Sequence, residues 1–261
     1  MLLPLNKKNV LRFDNIVYGP VHSRRLGISL GVNLLPADGK LCSFDCIYCE
    51  CGLNRDGRTS TPMPTLPEVT LALGKTLASM ADKGEKLDVI TFAGHGEPCL
   101  NPDFPAIIDA TIALRDEFCP DTKIAVLSNS MVLDREDVFL ALKKVDDPIM
   151  KLDAADEVLV NAIDRPNVKF DLDHVIANLE RFEGDFIMQT MFLGGARPDY
   201  RKDKAALEGW FDAVRRLHPR QVMVYTLDRP APVEGLEKFS YETMRSLLEP
   251  LINEGFNIQI N

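Results

Sequence analysis

Residues 87–98 read LDVITFAGHGEP. The first eight form a short apolar, β-branched run between Gly84 and Gly96, without clean alternation, as in a strand buried on both faces. A helical pattern near 103–118 follows and leads to KIAVLSN (123–129). The alternation then repeats. A helix at 134–144 leads to DPIMKLDA (147–154), one at 171–182 to DFIMQTMFLG (185–194), and one at 203–217 to QVMVYTLD (221–228). A last helix at 240–254 precedes FNIQI (256–260). Upstream, ISLGVNLL (28–35) feeds a long loop from Pro36 to Pro67, and a helix spans 66–82. Strand–helix units recur roughly every 30 residues, so the expected fold class is α/β with parallel strands joined by right-handed crossovers. Six such units make a partial (β/α)6 TIM-like barrel. A doubly wound open sheet is the alternative, and periodicity does not separate the two.

The runs end in AGHGEP, SNS, KLDA, QTMFLGG and YTLDR. These are polar or glycine-rich at the strand ends where a barrel of this type carries its active site.

The chain has 261 residues, a net charge of −9 and 46% hydrophobic residues. That suits a single domain over 1–261, with 1–27 as an N-terminal extension packed near the long loop. No apolar run approaches the roughly 20 residues needed to span a bilayer. The opening MLLPLNKKNVLRF lacks a signal peptide's order, so a cytoplasmic location without membrane association is expected. The acidic balance makes RNA a possible but disfavoured partner.

Four of the six cysteines crowd into ten residues, at Cys42, Cys46, Cys49 and Cys51; the others are Cys99 and Cys119. In a cytosolic chain such crowding reads as a metal site. The spacing C-x3-C-x2-C lets three thiolates on one loop hold three corners of an iron–sulfur cube, leaving one iron for an exogenous ligand. The alternative is a non-catalytic, zinc-stabilised binding protein with Cys51 as fourth ligand, but these spacings suit a tetrahedral site poorly.

With Tyr48 as the aromatic, C-x3-C-x-aromatic-C resembles the signature of the radical S-adenosylmethionine (SAM) superfamily. GPVHSRRLGISLGVN (19–33), FDCIYCECG (44–52) and TFAGHGEPCLNPDF (91–104) resemble its iron–sulfur oxidoreductase group, which includes the wyosine (tRNA-modifying) synthases. The resemblance runs from about Tyr18 to Arg229.

It implies one [4Fe–4S] cluster on Cys42, Cys46 and Cys49 that reductively cleaves SAM. The resulting 5′-deoxyadenosyl radical takes hydrogen from an unidentified substrate, and flavodoxin or ferredoxin serves as reductant. Gly94, Gly96 and Glu97 resemble the motif that receives the methionine ammonium, with Glu97 facing it or bracing the loop. His95 is then a solvated turn residue or a catalytic ring. Ser128 and Asn129 stand where relatives contact ribose or carboxylate, or else one caps the next helix. Lys151 and Asp153 share a strand face and look like SAM contacts, or form an ordinary ion pair.

Gln189 shares a face with Met191 and needs a partner if buried, either a ribose hydroxyl of SAM or a neighbouring backbone group. Tyr225 to Leu227 end the strand whose backbone meets adenine, and Tyr48 packs on the same base. Arg24 and Arg25 can clamp an anionic substrate group or anchor the N-terminal segment. Cys99 is a tentative substrate-facing residue, and Cys119 is structural. No cysteine precedes Cys42 or follows Cys119. The additional clusters of wyosine synthases and peptide-modifying members are therefore not expected.

Overall fold

Each apolar run read from the sequence is a strand in the computed structural model, which describes residues 11–57 and 59–261. Two compact units emerge, one built from Met1–Cys42, Leu53–Ser128 and Asp134–Pro148. The other comprises Ser43–Gly52, Asn129–Leu133 and Ile149–Asn261. The first ten residues of the expected extension lie outside the described residues.

The first unit contains β1 (Val17–Ser23), β2 (Gly27–Val32), α1 (Leu66–Asp82), β3 (Val89–Phe92), α2 (Phe104–Phe118), β4 (Lys123–Ser128) and α3 (Glu136–Leu142). It also holds the start of β5 (Asp147–Lys151). Its strand order is β1-β2-β3-β4-β5. β2, β3 and β4 run parallel, with Val32 opposite Phe92 and Phe92 opposite Val126. All four residues of β3 are buried, as a strand covered on both faces must be. α1 starts on a capping box in which Thr65 N–H donates to the Glu68 carboxylate at 2.8 Å.

Part of the expected N-terminal extension is an edge strand not read from the sequence, because Val17–Ser23 pairs antiparallel with β2. Gly19 and Pro20 hid this strand. The pairing register shifts between Tyr18 and Val21, the sort of irregularity that admits proline at a sheet edge.

The second unit contains the rest of β5, then α4 (Glu157–Ile163), α5 (Leu172–Glu180), β6 (Ile187–Met191), β7 (Leu193–Gly194) and α6 (Lys204–Leu217). β8 (Gln221–Tyr225), β9 (Glu237–Lys238), α7 (Tyr241–Asn253) and β10 (Ile258–Ile260) complete it. Its main strands are all parallel, in the order β5-β6-β8-β10. α4 was not read from the sequence. At seven residues it is too short to show a helical period, although Asp156 caps it by accepting from Leu159 N–H at 3.0 Å.

The aromatic core of this unit centres on Phe192, whose ring lies 4.7 Å from Tyr200 and 5.4 Å from Trp210. Both partners also fix the end of β5. Trp210 Nε1–H donates to Leu152 O at 3.1 Å, and Tyr200 O–H to Asp153 O at 2.7 Å. No helix among the described residues is long and apolar enough to cross a membrane.

Candidate functional site

In the second unit, the loop segment with Cys46 and Cys49 is bonded to the end of α4. Ile47 N–H donates to Ile163 O at 2.9 Å, Asp45 N–H to Asp164 O at 3.0 Å, and Asn167 N–H to Ser43 O at 2.9 Å. Two tight turns follow, with Cys49 N–H on Cys46 O at 3.1 Å and Gly52 N–H on Cys49 O at 3.0 Å. Asn129 supports the same segment, because its Nδ2 donates to Ser43 Oγ at 2.8 Å. Its Oδ1 accepts from Met131 N–H at 3.1 Å, and the next residue, Ser130, takes a left-handed φ of 70°. The capping alternative falls, since α3 starts at Glu136 on Arg135.

Tyr48 points to the end of β5. Its hydroxyl donates to the Asp153 carboxylate and accepts from the Lys151 ammonium, which also contacts Asp153. Lys151 Nζ lies 2.6 Å from Asp164 Oδ1, and Asp153 Oδ1 accepts from Met191 N–H at 2.9 Å. Asp153 is 0% exposed. Burial alone would push the Lys151 ammonium down, but Asp153 and Asp164 outweigh it and hold Lys151 well above its usual range. Burial, then Asp153, pushes Asp164 up to about 8. Burial, then Asp153, also raises the Tyr48 phenol.

Lys151 and Asp153 thus form an ion pair within a largely buried cluster. Charges withdrawn from water need partners of this kind. Asp164, the fourth member, was missed. It sits at the end of α4, so its only signal lay in a helix that was itself missed.

Gln189 is buried, with its Cα opposite Lys151 and Met223. Met191 is core packing. The Tyr48 and Tyr225 rings lie edge to face at 6.5 Å, and Leu227 is half-buried two residues beyond.

In the first unit, Cys42 is held on both sides by Asn54. Cys42 N–H donates to Asn54 Oδ1 and Asn54 Nδ2 donates to Cys42 O, each at 3.0 Å. Leu41 pairs with Gly96 after β3, with Leu41 N–H on His95 O at 2.8 Å and Glu97 N–H on Leu41 O at 3.2 Å. The glycines of this loop have a physical reason other than ligand approach. A Cβ at Gly94 would meet Asn33 Oδ1 at 2.1 Å, and one at Gly96 would meet Leu41 O at 2.0 Å. Gly96 also has φ +136°, a backbone state that side chains disfavour.

Glu97 is buried and braces the next turn, its Oε1 accepting from Cys99 N–H at 3.0 Å. Cys99 is 0% exposed, and burial followed by the neighbouring Glu97 pushes its thiol pKa up. A substrate-facing role for Cys99 is therefore withdrawn. Ser128 is buried beside it.

His95 is no solvated turn residue, being only 3% exposed and bonded at both ring nitrogens. Arg24 and Arg25 lie in the turn between β1 and β2, where Ser23 Oγ accepts from Arg25 N–H at 3.3 Å. β2 carries the chain about 20 Å from this turn before the cysteine loop begins, at ~3.3 Å per residue. The two guanidiniums thus belong to the strand-start end, which corrects their reading as a substrate clamp beside the loop.

No cysteine is in a disulfide. Among the described residues, no three His, Cys, Asp or Glu side chains converge on a single metal-ion position. A cubane takes one thiolate at each of several irons, so its ligands stand apart.

A family model described as the Radical SAM superfamily matches residues 38–187. A UPF0026 protein of Methanocaldococcus jannaschii is 30% identical over 242 residues, covering 89% of this chain and 70% of the relative. Streptococcus suis SuiB bound to S-adenosylmethionine matches with a TM-score of 0.64, 15% identity and coverage of 98% of this chain. The chain spans about half of SuiB, 52% of its length. Archaeal TYW1 matches with a TM-score of 0.54 and 12% identity, over 87% of this chain and 72% of that one. These likenesses decide the fold class in favour of the α/β partial barrel of parallel strands over the doubly wound sheet.

Proposed function

Because this chain belongs to the radical SAM superfamily, we propose that it is a single-cluster enzyme, with one [4Fe–4S] cluster on Cys42, Cys46 and Cys49 and S-adenosylmethionine as cosubstrate. When bound, the cluster supplies the electron that cleaves the sulfonium and yields a hydrogen-abstracting 5′-deoxyadenosyl radical.

The observation that carries the reading is how firmly this loop's backbone is held. Asn54 brackets Cys42, and Cys46 and Cys49 stand on consecutive hydrogen-bonded turns. Phe44 and Ile47, which flank Cys46 in sequence, are both buried, and an apolar neighbourhood of this kind controls solvent access to a metal centre. The donor set, three thiols outside any disulfide, suits iron and sulfide.

The protein's task is to bind, orient and exclude water. The carbonyls of Gly94–Glu97 accept the methionine ammonium. Ser128, Asn129 and Gln189 offer polar groups to the carboxylate and ribose, while Tyr48, Tyr225 and Leu227 flank the adenine. Lys151 and Asp153 act one step back, holding the Tyr48 hydroxyl. A flavodoxin or ferredoxin supplies the electron, and the hydrogen donor is a substrate yet to be identified.

Anaerobic purification and reductive turnover test this. The expected material is brown, holds iron and sulfide in equal amounts, and forms 5′-deoxyadenosine from SAM, whereas Cys46→Ala does neither. A colourless zinc protein, or unchanged deoxyadenosine formation by Cys46→Ala, would sink the proposal.

A further inference from the structure

Two separate stretches of the first unit meet at one imidazole. His95 Nδ1 lies 2.9 Å from Pro36 O, and a carbonyl only accepts, so Nδ1 carries the proton. Nε2 is then the acceptor and receives Phe13 N–H at 2.9 Å. The backbone of His95 is engaged too, with its N–H donating to Asn33 Oδ1 at 3.0 Å and its carbonyl accepting from Leu41 N–H at 2.8 Å. Asn33 is itself tied down, with Nδ2 on Leu35 O at 2.9 Å.

The stretch Leu11–Phe13 alternates buried, exposed, buried, placing Leu11 and Phe13 inward. The Phe13 ring lies 5.1 Å from His95, edge on, and 4.4 Å from Tyr18. The Tyr18 hydroxyl donates to Ala93 O at 3.0 Å, so the same strap is fastened to the strand end just before the glycine loop. The Gly94–Glu97 loop is hemmed in at both of its glycines. Asn33 fills the space above Gly94, and Leu41 O fills that above Gly96.

We infer that His95 and Asn33 are positioning residues that couple the strap Leu11–Phe13 to the Gly94–Glu97 loop, so that a docked strap sets where the loop's carbonyls stand. The ring works as a neutral strut, a donor at one nitrogen and an acceptor at the other. The inference rests on the reading that this loop receives the SAM ammonium. The strap is thereby part of the cosubstrate site without touching the cosubstrate.

Two conservative variants separate the halves of the strut. Asparagine places an amide near the Nδ1 position and keeps the Pro36 bond, but does not reach Phe13. Glutamine places an amide near Nε2 and keeps the Phe13 bond. Amide hydrogen exchange is read at Phe13, Leu41 and Glu97, and SAM affinity by equilibrium dialysis of anaerobically reconstituted protein, with iron measured in parallel.

In His95→Asn, exchange at all three amides accelerates and the SAM dissociation constant rises about fivefold to tenfold, as loss of one net hydrogen bond predicts, at unchanged iron content. His95→Gln keeps Phe13 protected and restores most of the affinity. Faster exchange at Phe13 with Leu41 and Glu97 unmoved would overturn the coupling. So would faster exchange at all three with unaltered SAM affinity. If the unsubstituted protein binds no SAM, the functional reading fails, and the three amides still decide the coupling. Should His95→Asn not fold, Phe13→Ala, which loosens the strap through ring packing alone, is expected to shift the same amides and affinity in the same direction.

Discussion

Replacing Lys151 with methionine removes the cation from a site that holds two carboxyl groups and a phenol. Asp153 is 0% exposed and the Asp164 side chain 2%, so water cannot take the place of the ammonium. The methionine fills most of the volume, and the loss is therefore chiefly electrostatic. Breaking a buried pair in this way costs about 3–5 kcal/mol. At roughly 2 °C per kcal/mol, the low end that suits a chain of 261 residues, the melting temperature falls by about 6–10 °C.

The loss also depends on pH. The Asp164 carboxyl, already pushed up to about 8, rises further without the cation. A carboxyl whose folded pKa lies above its unfolded value favours folding at low pH, and that contribution is lost as pH rises through the folded value. The deficit of Lys151→Met is therefore smaller near pH 5 and larger near pH 9. Scanning calorimetry of both proteins at the two pH values measures it. Midpoints that coincide at both would refute the reading of these residues as a buried ion cluster.

The His95 strut has the opposite pH dependence. Burial holds the imidazole below its usual pKa, against the opposing pull of the Pro36 and Leu11 backbone, with Arg12 adding to the lowering and Asp14 opposing it. As pH falls below about 6.5, the released segment takes a proton first, so strap stability, full above that value, declines. Exchange of the Phe13 amide, corrected for its intrinsic pH dependence, should show falling protection between about pH 7 and 5; constant protection would count against the neutral strut. Gly96→Ala meets Leu41 O at 2.0 Å and holds alanine at φ +136°. It should cost at least about 2 kcal/mol, read as a lower melting temperature, and an unchanged melt would contradict the packing described. Trp210→Phe loses the bond to Leu152 O, but Thr190 Oγ1 still donates to that carbonyl at 2.8 Å. A loss of only about 1 kcal/mol by denaturant titration is therefore expected, and several times that would mean Trp210 holds the β5 end alone.

The strands and most helices were legible because their signals are local. Buried runs such as VITF carry their own composition, and Thr65 with Glu68 or Ser240 at its helix start announces a cap within four residues. The motif Cys42, Cys46, Cys49 was legible for the same reason. α4 and β1 were not: a seven-residue helix completes no clear period, and Gly19 with Pro20 disguised an edge strand.

Roles set by distant partners were decided only in three dimensions. Local sequence placed Lys151 and Asp153 on one strand face. Tyr48, 103 and 105 residues earlier, and Asp164 turned them into a closed cluster. His95 looked like a turn residue until Phe13, 82 residues away, and Pro36 supplied its two bonds. Arg24 and Arg25 precede the cysteine loop by little more than one strand in sequence, yet the length of β2 carries that loop to the other end of the strand. Composition and short-range pattern determine which elements form. Whether a polar side chain serves a ligand or its own protein depends on what burial brings beside it, and the chain shows that only once folded.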